Sequence, residues 1–165
     1  MALNSLRTST RQKNDLAEAL RRATENSGHP SSMAVALSVF GAAREMHPIV
    51  RDEVYRIGYE AIRNAYQHSK GSQLTVELTY SQDLTLRVSD NGTGIEPAIA
   101  DTGKNGHFGL QGMRERAARI GGTLTLVSTL ASGTEIKLVV PGRIIFRNSS
   151  HGRPVGLARI KRLLR

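Results

Sequence analysis

Between Ile49 and Asp90 the spacing of apolar residues changes abruptly, and that change restricts the fold more than any other feature of the chain. After the break at His47-Pro48, Val54, Ile57, Ala61 and Ala65 recur at helical spacing, which predicts a helix over about 49–68. The pattern then alternates: Leu74, Val76, Leu78 and Tyr80, and, past the turn at Ser81-Gln82-Asp83, Leu84, Leu86 and Val88. Side chains on a strand point to opposite faces in turn, so both runs bury one face and form an antiparallel hairpin.

The flanking segments extend this unit. Leu16, Ala19, Leu20 and Ala23 predict a helix over 14–23, followed by a loop of composition ENSGHPSS at 25–32. Met33 to Val39 alternates as a strand. A helix over about 110–120 ends at Gly121-Gly122, and strands at 123–129 and 134–140 surround a turn at Ala131-Ser132-Gly133. The expected class is α+β: a two-layer α/β sandwich, its mixed, mostly antiparallel sheet covered by helices on one face. The expected body spans 31–141. Residues 1–30 are expected as a helix and linker from a dimerisation and phosphoacceptor region outside this sequence, and 142–165 as a basic tail.

At 165 residues the chain suits one domain with an ample core. It has no run of 18 apolar residues to span a membrane and no apolar stretch of the signal-peptide kind in its first thirty residues. With no cysteine, disulfides and thiolate chemistry are excluded. The net charge of +9 suggests nucleic acid, but seven of those charges lie between Pro141 and Arg165, where there is no acid. The body is nearly balanced and its seven aromatics are scattered, so no nucleic-acid partner is expected. A basic tail beside a membrane would favour anionic headgroups.

Three clusters carry chemistry. Glu60, Asn64 and His68 are spaced by four, so on a helix they share a face. Asn64 offers a neutral oxygen to Mg²⁺, Glu60 could orient a metal-bound water or accept a proton, and His68 could contact phosphate. Asp90-Asn91-Gly92-Thr93-Gly94 ends a strand with a carboxylate able to accept from an exocyclic amine, and Gly92 and Gly94 allow close approach of a base. Gly106, Gly109 and Gly112 spell GxxGxxG before a helix, where free N–H groups favour phosphate. This is neither a Walker A loop nor a dinucleotide fingerprint. Phe108 reads as core or as a lid residue, and Thr134, after Gly133, could lie near the base. Nine of the sixteen glycines fall between Gly92 and Gly133, as close approach of backbone to a ligand requires.

In this order the motifs resemble the N, G1, G2 and G3 boxes of the Bergerat-fold ATPases, which include gyrase B, the heat-shock ninety chaperones, MutL and histidine kinases. Gly109-Leu110-Gln111-Gly112-Met113-Arg114-Glu115-Arg116 resembles the catalytic domain of NarL/DegS-type sensor histidine kinases, over about 53–141. The stretch Val54 to Ala61 is similar to kinases with a periplasmic propeller-type sensor. The resemblance implies that Asn64 and Glu60 serve Mg²⁺, that Asp90 reads adenine, and that 106–112 is the ATP lid. It adds His68, Gly92, Gly94, Ile95, Phe108, Leu110, Met113 and Thr134 to the nucleotide site. It further implies transfer of the γ-phosphoryl group to a histidine on a separate dimerisation domain, then to a response-regulator aspartate. The whole protein would be a membrane-anchored homodimer with this domain in the cytoplasm.

Departures from the pattern are plain. Gln67 stands where a basic residue is common, and His107 has no fixed role to carry over. None of His29, His47, His68, His107 and His151 begins a phosphoacceptor motif. The alternatives are an anti-sigma-factor-type serine kinase and a non-catalytic nucleotide-binding module.

Overall fold

The computed structural model describes residues 15–26, 28–95 and 109–147. The elements run α1 (Asp15–Asn26), β1 (Ala34–Phe40), α2 (Pro48–Asn64), a π-helical turn (Ala65–Ser69), β2 (Gln73–Tyr80), β3 (Leu84–Asp90), α3 (Leu110–Arg119), β4 (Thr123–Thr129), β5 (Gly133–Val140) and a short helical turn, α4 (Gly142–Ile145). The five strands form one sheet in the order β1-β2-β3-β5-β4. Only β1 and β2 pair in parallel. A parallel neighbour needs a crossover, and α2 provides it. The mixed sheet with helices is the α+β sandwich expected from the hydrophobic pattern. Among the described residues no helix is long and apolar enough to cross a membrane.

One face of the sheet carries the core. Val76 and Leu78 of β2, Leu86 and Val88 of β3 and Leu138 of β5 are buried in one cluster with Val54, Ile57, Ala61 and Ile62 of α2. The opposite face is polar: exposed Arg87 pairs with Glu77 at 3.2 Å and with Glu135 at 2.6 Å across three strands. Such solvated pairs contribute about 0–1 kcal/mol each. They keep that face wet, and this leaves a single burying direction for the helices.

At both ends the described residues pack into the shared core. α1 packs into the body: Leu16, Leu20 and Ala23 are buried in the shared core. A methyl group on Gly58 of α2 would meet Leu20 at 2.7 Å and Leu86 at 3.0 Å, so the missing side chain is what lets α1 approach the helix over the sheet. At the other end the body continues past Pro141. Ile144, Ile145 and Phe146 are buried, and Phe146 bridges to Met46. The short apolar run Ile144-Ile145-Phe146 outweighs the basic residues around it, because Arg143 and Arg147 can stay in solvent while the three apolar side chains desolvate. Residues 148–165, which carry the rest of the basic segment, lie outside the described residues.

Candidate functional site

The helix expected over 49–68 is two structures. α2 ends at Asn64, and the π-helical turn then runs to Ser69 before Lys70 reverses the chain in a left-handed conformation, φ 52°. Single-turn π segments are rare and concentrate at functional sites. Here the turn places Asn64, His68 and Ser69, with Ala61 and Ala65, along one wall of a cleft. Val88, Asp90, Thr134 and Ile136 come from β3 and β5, and Gly94 and Ile95 complete the lining. The cleft holds about 400 Å³, its open mouth included.

The loop after β3 is tied to both of its neighbours. Gly92 N–H donates to Asp90 Oδ1 at 2.9 Å, and Thr93 N–H donates to the Ser69 carbonyl at 2.7 Å. Ala131 N–H donates to the Thr93 carbonyl at 2.9 Å, and Ile95 N–H donates to Ser128 Oγ at 2.7 Å. A Cβ on Gly92 would sit 2.0 Å from the Ser69 oxygen, so no other residue fits there without moving the turn that carries Asn64. Gly94 has φ +75°, open to glycine and costly for other residues.

Asp90 stands at the end of β3, opposite Thr134 of β5 in the register. Burial pushes its carboxyl above the ordinary value of 3.8, and hydrogen bonds from the backbone of Gly92 and Thr134 partly offset that. The carboxylate is thus oriented, partly desolvated and still accepting. Around it the walls are apolar: Ala61, Ala65, Val88, Ile95 and Ile136. A narrow apolar slot with one oriented acceptor suits a flat heteroaromatic ring bearing an amine.

Glu60 lines a different cleft. Together with Tyr55, Arg56, Tyr59, Gly109, Gly112, Met113 and Arg116 it borders a wider space of about 810 Å³, open mouth included, between α2 and α3. Glu60 Oε1 would lie 2.7 Å from a Cβ on Gly109, itself at φ +56° before the first turn of α3. Glu60 of α2 therefore lines one cleft, while Asn64 at the end of α2 and His68 in the π-helical turn line the other. Leu110 and Met113 are buried, and their side chains anchor α3. Gly106, His107 and Phe108 lie outside the described residues.

Two residues of the site escaped the sequence reading. Ser128 Oγ accepts from Ile95 N–H and shares a hydrogen bond with Thr134 Oγ1 at 2.9 Å, linking the loop to the β4–β5 hairpin. Its position opposite Thr134 follows once that hairpin is drawn in register. Asn91 Oδ1 accepts from the N–H groups of Ser72 and Gln73, both at 2.9 Å. Its side chain pins the Asp90 loop to the start of β2.

No group of three His, Cys, Asp or Glu side chains suited to a metal occurs among the described residues. Asn64 offers the cleft a neutral oxygen of the kind Mg²⁺ accepts beside water and phosphate oxygens.

The sequence profile of the "Histidine kinase-, DNA gyrase B-, and HSP90-like ATPase" family matches residues 49–144. The chain belongs to this ATPase family. That match covers α2, both clefts and the sheet beyond β1, so the family is defined by the elements that build the site. The sensor protein VraS of Staphylococcus haemolyticus is 44% identical over 93 residues, which is 56% of this chain and 26% of that protein. VraS of Staphylococcus epidermidis is 43% identical over the same length. The chain thus aligns with about a quarter of the length of these curated relatives. Among solved structures, the histidine kinase domain of the Erythrobacter litoralis EL346 blue-light activated histidine kinase superposes with a TM-score of 0.64 at 18% identity, over 90% of this chain and 62% of that one. At that identity the likeness establishes the fold of the ATPase domain.

Proposed function

We propose that this domain binds Mg·ATP and transfers the γ-phosphoryl group to a histidine on the dimerisation domain of a sensor kinase. The observation that carries the reading is the Asp90 carboxylate, oriented by the Gly92 and Thr134 backbones in an apolar cleft whose facing wall bears Asn64. Adenine enters the cleft and its exocyclic amine donates to Asp90. Thr134 and Ile95 border the base, and His68 lies toward the phosphates. Asn64 is the protein ligand of Mg²⁺, which when bound neutralises charge on the phosphate chain. Gly109 and Gly112, the described glycines of the GxxGxxG segment, lie at the start of α3, where free N–H groups favour phosphate.

Glu60 lies one turn from Asn64, beside Gly109, in the cleft proposed to receive the terminal phosphate. The acceptor imidazole nitrogen attacks the γ-phosphorus, the bond to the β–γ bridging oxygen breaks, and ADP departs with that electron pair. Glu60 takes the proton released by the imidazole or orders the water around the metal. A response-regulator aspartate then receives the phosphoryl group. The likeness to a sensor protein supports a place in a sensor kinase, and the GLQGMRER phrase is the basis for proposing a NarL/DegS-type kinase whose whole protein is a homodimer anchored at the membrane with this domain on the cytoplasmic side.

Calorimetric titration with a non-hydrolysable ATP analogue, with and without Mg²⁺, tests the reading. Saturable binding strengthened by Mg²⁺ is expected. Absence of binding at millimolar ligand by a folded sample would refute it.

A further inference from the structure

Tyr66 sits in the π-helical turn between Asn64 and His68, yet it lines neither cleft. The buried residues of that turn are Ala65, Tyr66 and Ser69. Ala65 and Ser69 line the cleft at Asn64 and Asp90, whereas Tyr66 reaches α1. Its hydroxyl donates to the Thr24 carbonyl at 2.6 Å, a buried bond between residues 42 apart in sequence. Thr24 stands in the last turn of α1. The final four carbonyls of a helix find no N–H within it, so Tyr66 satisfies one of them. The Thr24 hydroxyl is engaged separately, donating to the Arg21 carbonyl at 2.6 Å. His29 packs edge-to-face on the same phenol ring, with centroids 5.5 Å apart and planes at 70°. α1 is itself held by buried Leu16, Leu20 and Ala23. The Tyr66 bond thus ends on a helix fixed in the core.

We propose that Tyr66 is a positioning residue for the ATP site: its bond to α1 holds the π-helical turn in the register that directs Asn64 and His68 into the cleft. The proposal rests on the reading of Asn64 as the Mg²⁺ ligand. π-helical pitch is rare, so a turn that keeps it depends on contacts from outside the helix. This turn has two. At its far end the Ser69 carbonyl accepts from Thr93 N–H at 2.7 Å, and Lys70 then reverses the chain. That contact fixes Ser69 against the Asp90 loop but leaves the residues before it to rotate about the helix axis. Tyr66 supplies the second hold, away from the cleft and between the two residues that must face it. Without its donor the turn is free to tighten toward α-helical pitch, which turns His68 about the axis relative to Asn64. Thr24 and His29 lie outside the span 49–144 that matches the ATPase family. The tether therefore joins the ATP-binding body to a helix that precedes it.

The test is calorimetric titration of the full chain with a non-hydrolysable ATP analogue, with and without Mg²⁺, on the wild type, Tyr66→Phe and Tyr80→Phe. Tyr66→Phe keeps the ring and removes only the donor. Tyr80 is the control: its hydroxyl is buried with no hydrogen-bond partner among the described residues, and it lies at the end of the β2–β3 hairpin remote from Asp90. Tyr66→Phe should reduce the Mg²⁺ enhancement of binding about two- to tenfold, the worth of one hydrogen bond, and leave the Mg²⁺-free affinity unchanged. Tyr80→Phe should change neither. Amide hydrogen exchange without nucleotide gives a second readout. Tyr66→Phe should speed exchange in the π-helical turn by about the same factor and leave β3 unchanged. A wild type whose binding ignores Mg²⁺ overturns the reading of Asn64, and this proposal falls with it. A wild-type enhancement that persists undiminished in Tyr66→Phe overturns the tether alone. Unchanged exchange in the turn does the same, as does an equal loss of affinity with and without Mg²⁺, the mark of a merely structural role.

Discussion

The two clefts along α2 are built by opposite means. The cleft at Asn64 and Asp90 is closed by backbone: Thr93 to Ser69, Ala131 to Thr93 and Ile95 to Ser128 are all main-chain donors. The cleft at Glu60 is bordered by side chains of two helices, and Arg116 at its border pairs with Glu53 at 3.1 Å. Backbone tethers resist displacement, because each broken bond leaves a polar group to be satisfied elsewhere. The first cleft is therefore set before any ligand arrives. The second is bounded by side chains whose rotamers can change, which suits the end proposed to receive the terminal phosphate.

Substitutions can break or sharpen that contrast. The largest effect is expected at Asn64. Asn64→Ala should abolish the Mg²⁺ enhancement of ATP-analogue binding while the melting curve stays cooperative; an unchanged Mg²⁺ dependence in calorimetry removes Asn64 from the metal site. Asp90→Asn should cost about 1.5–3 kcal/mol in ATP binding, the range for a hydrogen bond to a charged group, and far less for GTP, which carries a carbonyl where adenine has its 6-amine. Equal losses for the two nucleotides would take Asp90 out of base recognition.

Backbone against side chain can be compared with two alanines. Gly92→Ala drives a methyl group into the Ser69 carbonyl and should destabilise the fold by about 1–3 kcal/mol, an overpacking cost. Gly112→Ala, in α3 with nothing within 4 Å of its Cβ, should be stabilising by about 0.4–1 kcal/mol through the unfolded chain. Urea unfolding of both measures the difference, and equal destabilisation would erase the distinction between the clefts.

The smallest effect is one of pH. The Asp90 carboxyl is raised by burial above 3.8, so the folded protein holds that proton more tightly than the unfolded chain does. Its contribution to stability is full below 3.8 and is lost as pH rises through the folded value. The wild type should therefore lose stability relative to Asp90→Asn across that window, while nucleotide affinity rises as the carboxylate forms. A stability difference independent of pH would contradict the burial of this group.

Much of this was legible in one dimension. The switch of period between Ala65 and Leu74 placed α2 and the β2–β3 hairpin, because a half-buried element must repeat its apolar residues at its own pitch. Asn64 and Asp90 stood out as the chemical groups a hard cation and an amine would select, and the structure lines one cleft with both. Ser128 and Asn91 were not, since their work is to hold other residues' backbones, and a serine in TLTLVST or an asparagine in DNG reads as an ordinary strand or turn residue. The packed run at 144–146 was hidden by the basic residues on either side.

The residue types and their order determined the sandwich, the ATPase motifs and the absence of cysteine chemistry, because these depend on local pitch and on side-chain chemistry. Tertiary structure alone decided the rest. It turned the end of α2 into a π-helical turn, placed Glu60 in a separate cleft from Asn64, and desolvated Asp90. Those outcomes depend on which surfaces meet across long sequence separations. The spacing of four along a helix records a shared face but not what packs against each turn of it.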